Sequence, residues 1–126
     1  MRYPQEVRHE EDGEAEVSTA QLHVRRILEF IEQSYSQPVT LRVLARALDR
    51  QASYLGALFR RETGLSVRQC LTQMRLDRAS VLIREGVRIE AVARLVGYRS
   101  KKNFYRQFKR RFAMTPFAYA AHARND

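Results

Sequence analysis

The chain has 126 residues, 44% of them hydrophobic and 29% charged, with a net charge of +9 and a pI near 10.4, which is apolar material for one small domain or two very small ones. A single cysteine, Cys70, excludes an intrachain disulfide and a thiolate cluster, and His9, His23 and His122 have no second ligand at metal-binding spacing, so no metal or other cofactor is expected. No apolar run approaches membrane-spanning length and no cleavable leader is visible, which makes a membrane the weaker candidate partner and predicts a cytoplasmic protein.

Residues 1 to 18 hold six acids (Glu6, Glu10, Glu11, Asp12, Glu14, Glu16) against Arg2 and Arg8, and show no apolar period. That is the composition of a disordered tail. Of the chain's 23 basic and 14 acidic residues, 21 and eight therefore fall after Ser18. Such a field attracts a polyanion, with nucleic acid first among the candidates.

From Ser18 or Thr19 the pattern becomes helical, with Val24, Ile27, Leu28, Ile31 and Tyr35 on one face, and Pro38 ends the segment. Thr40 is a good N-cap for a short second helix carrying Leu41, Leu44, Ala45 and Leu48; Asp49 and Arg50 make the turn that follows. A third helix from Ala52 to Thr63 buries Leu55, Leu58 and Phe59 and stops at Gly64. Ser66 and Gln69 form a capping box for a fourth, about residues 67 to 84, which buries Val67, Leu71, Met74, Ala79 and Leu82 and spans roughly 27 Å. Cys70 reads as part of that core.

Ile89, Val92, Ala93 and Val96 mark a fifth helix closed by Gly97. Ser100 caps a sixth with Phe104 and Phe108 inward, and Thr115 with Pro116 opens a short seventh over 117 to about 121. No stretch alternates long enough for a strand, so the expected fold is all-α, seven helices in all. The expected division is a tail (1–18), a first helix-turn-helix subdomain (19–66), a linker helix (67–84) and a second subdomain (85–122).

The two halves repeat. Leu41, Leu44, Ala45, Leu48, Leu55 and Phe59 recur about 48 positions later as Ile89, Val92, Ala93, Val96, Phe104 and Phe108. Each copy ends in basic residues, Arg60 and Arg61 in the first, Lys109 and Arg110 in the second. This is the pattern of a duplicated helix-turn-helix joined by one long helix. Successive major grooves on one face of DNA are about 34 Å apart, so a connector of this length suits two units reading neighbouring grooves.

Ile89-Glu90-Ala91-Val92-Ala93-Arg94-Leu95-Val96-Gly97-Tyr98, followed by Ser100, Asn103-Phe104, Phe108-Lys109 and Thr115-Pro116, resembles the signature of the AraC-type transcription regulators. Leu44-Ala45, Tyr54-Leu55, the run Phe59 to Gly64, Arg75-Leu76 and Ala79 resemble that family's other motif. The likeness covers about residues 20 to 120. It implies a double-stranded DNA-binding regulator that activates transcription through RNA polymerase. Its similarity to the short, single-module members implies a monomer on DNA.

With Phe104 and Phe108 inward, the sixth helix presents Lys102, Asn103 and Arg106, flanked by Ser100, Lys101, Tyr105, Gln107 and Lys109. The resemblance places the base-contacting positions among the first three. Arg and Lys match the paired acceptors of guanine, and Asn matches adenine. Counted through the repeat, Ser53, Gly56 and Ala57 of the third helix are the equivalents of Lys102, Tyr105 and Arg106. Gly56 and Ala57 have no side-chain hydrogen bond to offer. The second motif is therefore expected to supply most base discrimination, while Arg50, Tyr54, Arg60 and Arg61 of the first hold the DNA backbone. Gln51 is a weak N-cap for the third helix, and Ala113 stands where the family usually has glycine.

No paired carboxylates, phosphate-binding glycine loop or Cys-His pair supports catalysis, so no catalytic residue is assigned and an enzyme is not expected. The rival reading is an interaction module for RNA polymerase or another regulator, with weak or sequence-blind DNA binding.

Overall fold

The computed structural model describes residues 18 to 125. The acidic tail assigned from composition lies outside the described residues up to position 17. Among the described residues there are seven helices and no strand: α1 (Thr19–Ser34), α2 (Leu41–Leu48), α3 (Ala52–Thr63), α4 (Val67–Arg84), α5 (Ile89–Leu95), α6 (Lys101–Phe112) and α7 (Pro116–Asn125). The expected all-α fold is the one observed.

Local chemistry sets the ends. Ser18 caps α1 in a complete capping box with Gln21, and Thr40 Oγ1 accepts from the Val43 N–H at 3.1 Å. Asp49 adopts a left-handed φ of 56° where α2 stops, and Gly64 does the same at 80° after α3. Ser66 and Gln69 exchange side-chain to backbone bonds of 3.0 and 2.8 Å ahead of α4. Thr115 Oγ1 accepts from the Ala118 N–H at 3.1 Å, with Pro116 as the first residue of α7.

The chain divides into two compact units, one ending at Leu71 and the other starting at Thr72. In the first, Val24, Ile27 and Ile31 of α1, Leu44 of α2, and Leu55, Leu58 and Phe59 of α3 are buried, with Val39, Val67 and Cys70. In the second, Leu76, Ala79 and Ile83 of α4 are buried, as are Ile89, Val92 and Ala93 of α5, and Phe104 and Phe108 of α6. Burying each large aliphatic or aromatic side chain is worth about 1.5–3 kcal/mol. Phe108 is also packed against Phe112 and Tyr119, with ring centroids 4.6 and 5.5 Å away, which fixes α7 against α6.

Two details depart from the sequence expectation. Leu82 of α4 is only half-buried, whereas Leu76, Ser80 and Ile83 are buried as well as the expected Cys70. At 100° per residue, Val67, Cys70, Leu71 and Met74 share one face of α4, while Leu76, Ala79, Ser80 and Ile83 fall on the opposite one. A single-stripe reading misses such a change of face. Second, α7 runs to Asn125 rather than ending near residue 121, because Ala120, Ala121 and Ala123 favour helix.

Candidate nucleic-acid interface

In the second unit, Ser100 starts α6 by accepting the Asn103 N–H at 3.1 Å, and Phe104 and Phe108 are wholly buried. Those two rings fix the rotation of the helix. Lys102, Arg106, Lys109 and Arg110 are consequently exposed on the face opposite, while Asn103, Tyr105 and Gln107 flank it half-buried. The basic face read from the sequence is therefore present.

Its members are not independent. An Arg106 terminal nitrogen donates to Asn103 Oδ1 at 2.8 Å. Lys101 Nζ lies 3.6 Å from Glu90 Oε2 of α5 and 5.8 Å from the centre of the Tyr105 ring. The Glu90 carboxyl is held below its usual range by its own backbone N–H first, with Lys101 and Arg88 adding to the effect. Tyr105 packs edge to face on Phe104 and on Phe117, each ring 6.0 Å away, and its buried hydroxyl has no hydrogen-bond partner among the described residues. Near the end of α6, Arg111 makes a two-pronged bond to Asp77 of α4 at 2.7 and 2.9 Å. Paired guanidinium–carboxylate contacts of this kind are the strong ones. They tie α6 to the same unit's part of α4.

In the first unit, burial of Leu55, Leu58 and Phe59 turns Ser53, Ala57, Arg60 and Arg61 of α3 outward, and all four are exposed. Arg61 is paired with Glu62 at 3.2 Å, an exposed contact of little energetic weight. Gly56 differs from its exposed neighbours Ser53 and Ala57. It is half-buried, and a Cβ added there would come within 3.0 Å of Leu41 Cδ1 of α2. Leu41 has filled the room left by the missing side chain.

Gln51 leads α3 with no side-chain cap, so first-turn N–H groups of the helix keep no such partner. Arg50 donates to the Asp49 carbonyl at 2.9 Å and is exposed. An open pocket at this end of α3 is lined by Thr19, His23, Arg50, Gln51 and Tyr54. Cationic charge and unpaired helix-terminal donors suit an anion such as a phosphate. Sequence reasoning included Arg50 and Tyr54 but missed His23, which is 31 residues from Tyr54 and has no local pattern that links it to α3.

Cys70 is buried and its thiol is pushed up to about 12 by burial, so it stays protonated at neutral pH. No helix among the described residues is long and apolar enough to cross a membrane.

The family model for a helix-turn-helix domain matches residues 44–122. The melibiose operon regulatory protein of Escherichia coli K12 is 31% identical over 101 residues, covering 79% of this chain and 33% of that protein. The chain thus spans about a third of that relative's length. Regulatory protein SoxS of Salmonella typhimurium is 32% identical over 97 residues, covering 76% of this chain and 91% of that protein. Among solved structures, the C-terminal domain of AraT, a response regulator from Geobacillus stearothermophilus, superposes with a TM-score of 0.77 at 28% identity, covering 86% of this chain and 88% of that one.

Proposed function

The chain belongs to the AraC-type family of helix-turn-helix transcription regulators, and from that premise we propose that it binds double-stranded DNA sequence-specifically, reading adjacent major grooves with α3 and α6. The observation that carries this reading is the outward face of α6, where Lys102 and Arg106 are exposed and Asn103 holds the Arg106 guanidinium. Side chains of these types match base edges in the major groove.

In this reading α6 dominates base recognition. Ser53 and Ala57 offer one short hydroxyl and one methyl, and Gly56 has Leu41 against it. The first unit serves mainly to hold the DNA backbone through Arg50, Tyr54, Arg60 and Arg61, with Ser100, Lys101, Tyr105, Gln107 and Lys109 flanking the base-reading face of the second. The corresponding division is a first subdomain over 19–66, a connecting helix over 67–84 and a second subdomain over 85–122. We assign it the activating sign and the RNA polymerase contact that the family resemblance implies, and action as a monomer on DNA in the cytoplasm.

Selection of bound sequences from a random pool tests this. The expected product is one strongly constrained half-site and one loosely constrained half-site, a helical turn apart. Arg106→Ala should then cost about 1–3 kcal/mol on the selected site and little on unrelated DNA. A loss of equal size on every sequence points instead to backbone-only binding.

A further inference from the structure

His23 stands on α1, outside both helix-turn-helix motifs, yet it is 4% exposed and its Nδ1 lies 2.9 Å from the Tyr54 hydroxyl on α3. The rings meet edge to face, with centroids 5.5 Å apart and planes at 88°. Tyr54 itself keeps 40% of its surface exposed. One side of its hydroxyl is thus engaged from within the fold, at the rim of the pocket that Arg50, Gln51 and Thr19 complete.

The direction of this hydrogen bond decides what Tyr54 offers to a ligand. A phenol has a single proton, and a neutral imidazole carries a proton on only one nitrogen. If Nδ1 is bare, the Tyr54 proton points at His23 and the hydroxyl faces outward only as an acceptor. A phosphate has no proton to give it. If Nδ1 carries the proton, it donates to the phenolic oxygen, and the Tyr54 O–H is released to donate outward.

We propose that His23 is a positioning residue for DNA, donating from Nδ1 to Tyr54 so that the Tyr54 hydroxyl is presented as a hydrogen-bond donor to a backbone phosphate. The proposal rests on the reading of α3 as a DNA-facing helix. It assigns a role to a residue of α1 that does not itself touch the nucleic acid.

The surroundings make the arrangement responsive to the phosphate. The groups facing His23 are Arg26 on its own helix, Arg50 in the turn before α3, and Tyr54 on α3. Burial first, then Arg50 and Arg26, hold the ring below its usual pKa, so it is neutral in the free protein at pH 7. A phosphate seated beside Tyr54 and Arg50 offsets those cations and favours the protonated ring. The bound-state pKa is then above the free-state one. Binding takes up a proton, and affinity rises as pH falls through the bound-state value.

The test is a titration of the whole chain with a mixed-sequence DNA duplex at low salt, using wild type, Tyr54→Phe, His23→Phe, His23→Gln and the Tyr54→Phe/His23→Phe double variant. Tyr54→Phe should lose about tenfold in affinity, the scale of one hydrogen bond to a charged group. His23→Phe, which frees the hydroxyl but no longer positions it, should lose part of this, and the double variant no more than Tyr54→Phe alone. From about pH 8 to about pH 6 the wild type should gain affinity more steeply than Tyr54→Phe. His23→Gln, whose amide donates without titrating, should keep most of the affinity and lose that extra pH dependence.

Additive losses, or one pH profile shared by wild type, Tyr54→Phe and His23→Gln, overturn the proposal and leave His23 as packing alone. If His23→Phe fails to fold by thermal melting, the profiles of the surface variant Tyr54→Phe and of His23→Gln still decide it. A wild type that binds no duplex at all overturns the DNA reading and this proposal together; a wild type that binds, with variants that match it, overturns only the proposal.

Discussion

Asn103 and Arg106 are one turn apart on α6 and bonded to each other, so they cannot be treated as two separate readers. An asparagine that recognises adenine uses both its Oδ1 and its amide nitrogen on the base. Here Oδ1 already accepts from Arg106 at 2.8 Å, and on the proposed DNA-binding reading Asn103 would act as a support that holds the guanidinium in place. Asn103→Ala should therefore weaken the preference at the base pair that Arg106 is proposed to read, by about 1 kcal/mol, somewhat below the usual worth of a charge-assisted hydrogen bond because this one is exposed to solvent. Sequence selection repeated with the variant checks this, and loss of a separate adenine preference would return Asn103 to direct readout. The outward placement of these residues was legible from Phe104 and Phe108, because helical period alone fixes which positions oppose a buried pair. The bond between them was not, since it depends on rotamers that no sequence pattern displays. Gly56 shows the same limit: a glycine in a helix reads as a gap facing the groove until Leu41 is seen in the space beside it.

Helices α3 and α6 differ most at their ends. Helix α6 begins with a working Ser100 cap but ends at Ala113, whose φ of 63° lies in the left-handed region. Alanine there carries a steric cost of about 1–2 kcal/mol that glycine avoids, offset in part by the greater freedom of glycine in the unfolded chain. Ala113→Gly should raise stability by about 0.5–1 kcal/mol, read as a higher denaturant midpoint at unchanged slope. A lower midpoint would mean that the turn depends on the methyl group. Helix α3 has the opposite defect, a Gln51 with no capping bond. Gln51→Asp should stabilise the fold by about 0.5–1 kcal/mol and yet weaken the proposed DNA binding, because the same first-turn donors would serve a phosphate and the new carboxylate would repel it. Melting and duplex titration on the one variant should move in opposite directions; parallel gains would show that no phosphate approaches this helix end. Caps, glycine stops and apolar periods made most elements legible in advance. Helix α4 was read less well, since its buried residues change face between Met74 and Leu76 and no single stripe describes it. The His23–Tyr54 contact was hidden for a different reason, because it joins α1 to α3 across a fold that periodicity does not draw.

At the scale of the whole molecule, the opposed charges of the two ends of the sequence set the remaining question. Residues 1 to 18 carry six acids and two arginines, against 21 basic and eight acidic residues beyond them. If the basic region binds DNA as proposed, acids tethered to it would compete with DNA phosphates for the same cations. Deleting residues 2 to 17 should accordingly raise affinity for nonspecific duplex several-fold at about 50 mM salt, where the screening length exceeds 10 Å, and change it little at about 1 M, where that length is near 3 Å. The selected site should gain less than nonspecific DNA, because base contacts contribute there and are not opposed by the tail. The acids would then act as a filter, lowering occupancy of random DNA more than that of the target and so widening the specificity ratio. Equal affinity of the full and shortened chains for nonspecific duplex at low salt would remove this role and leave the discrimination to α6 alone.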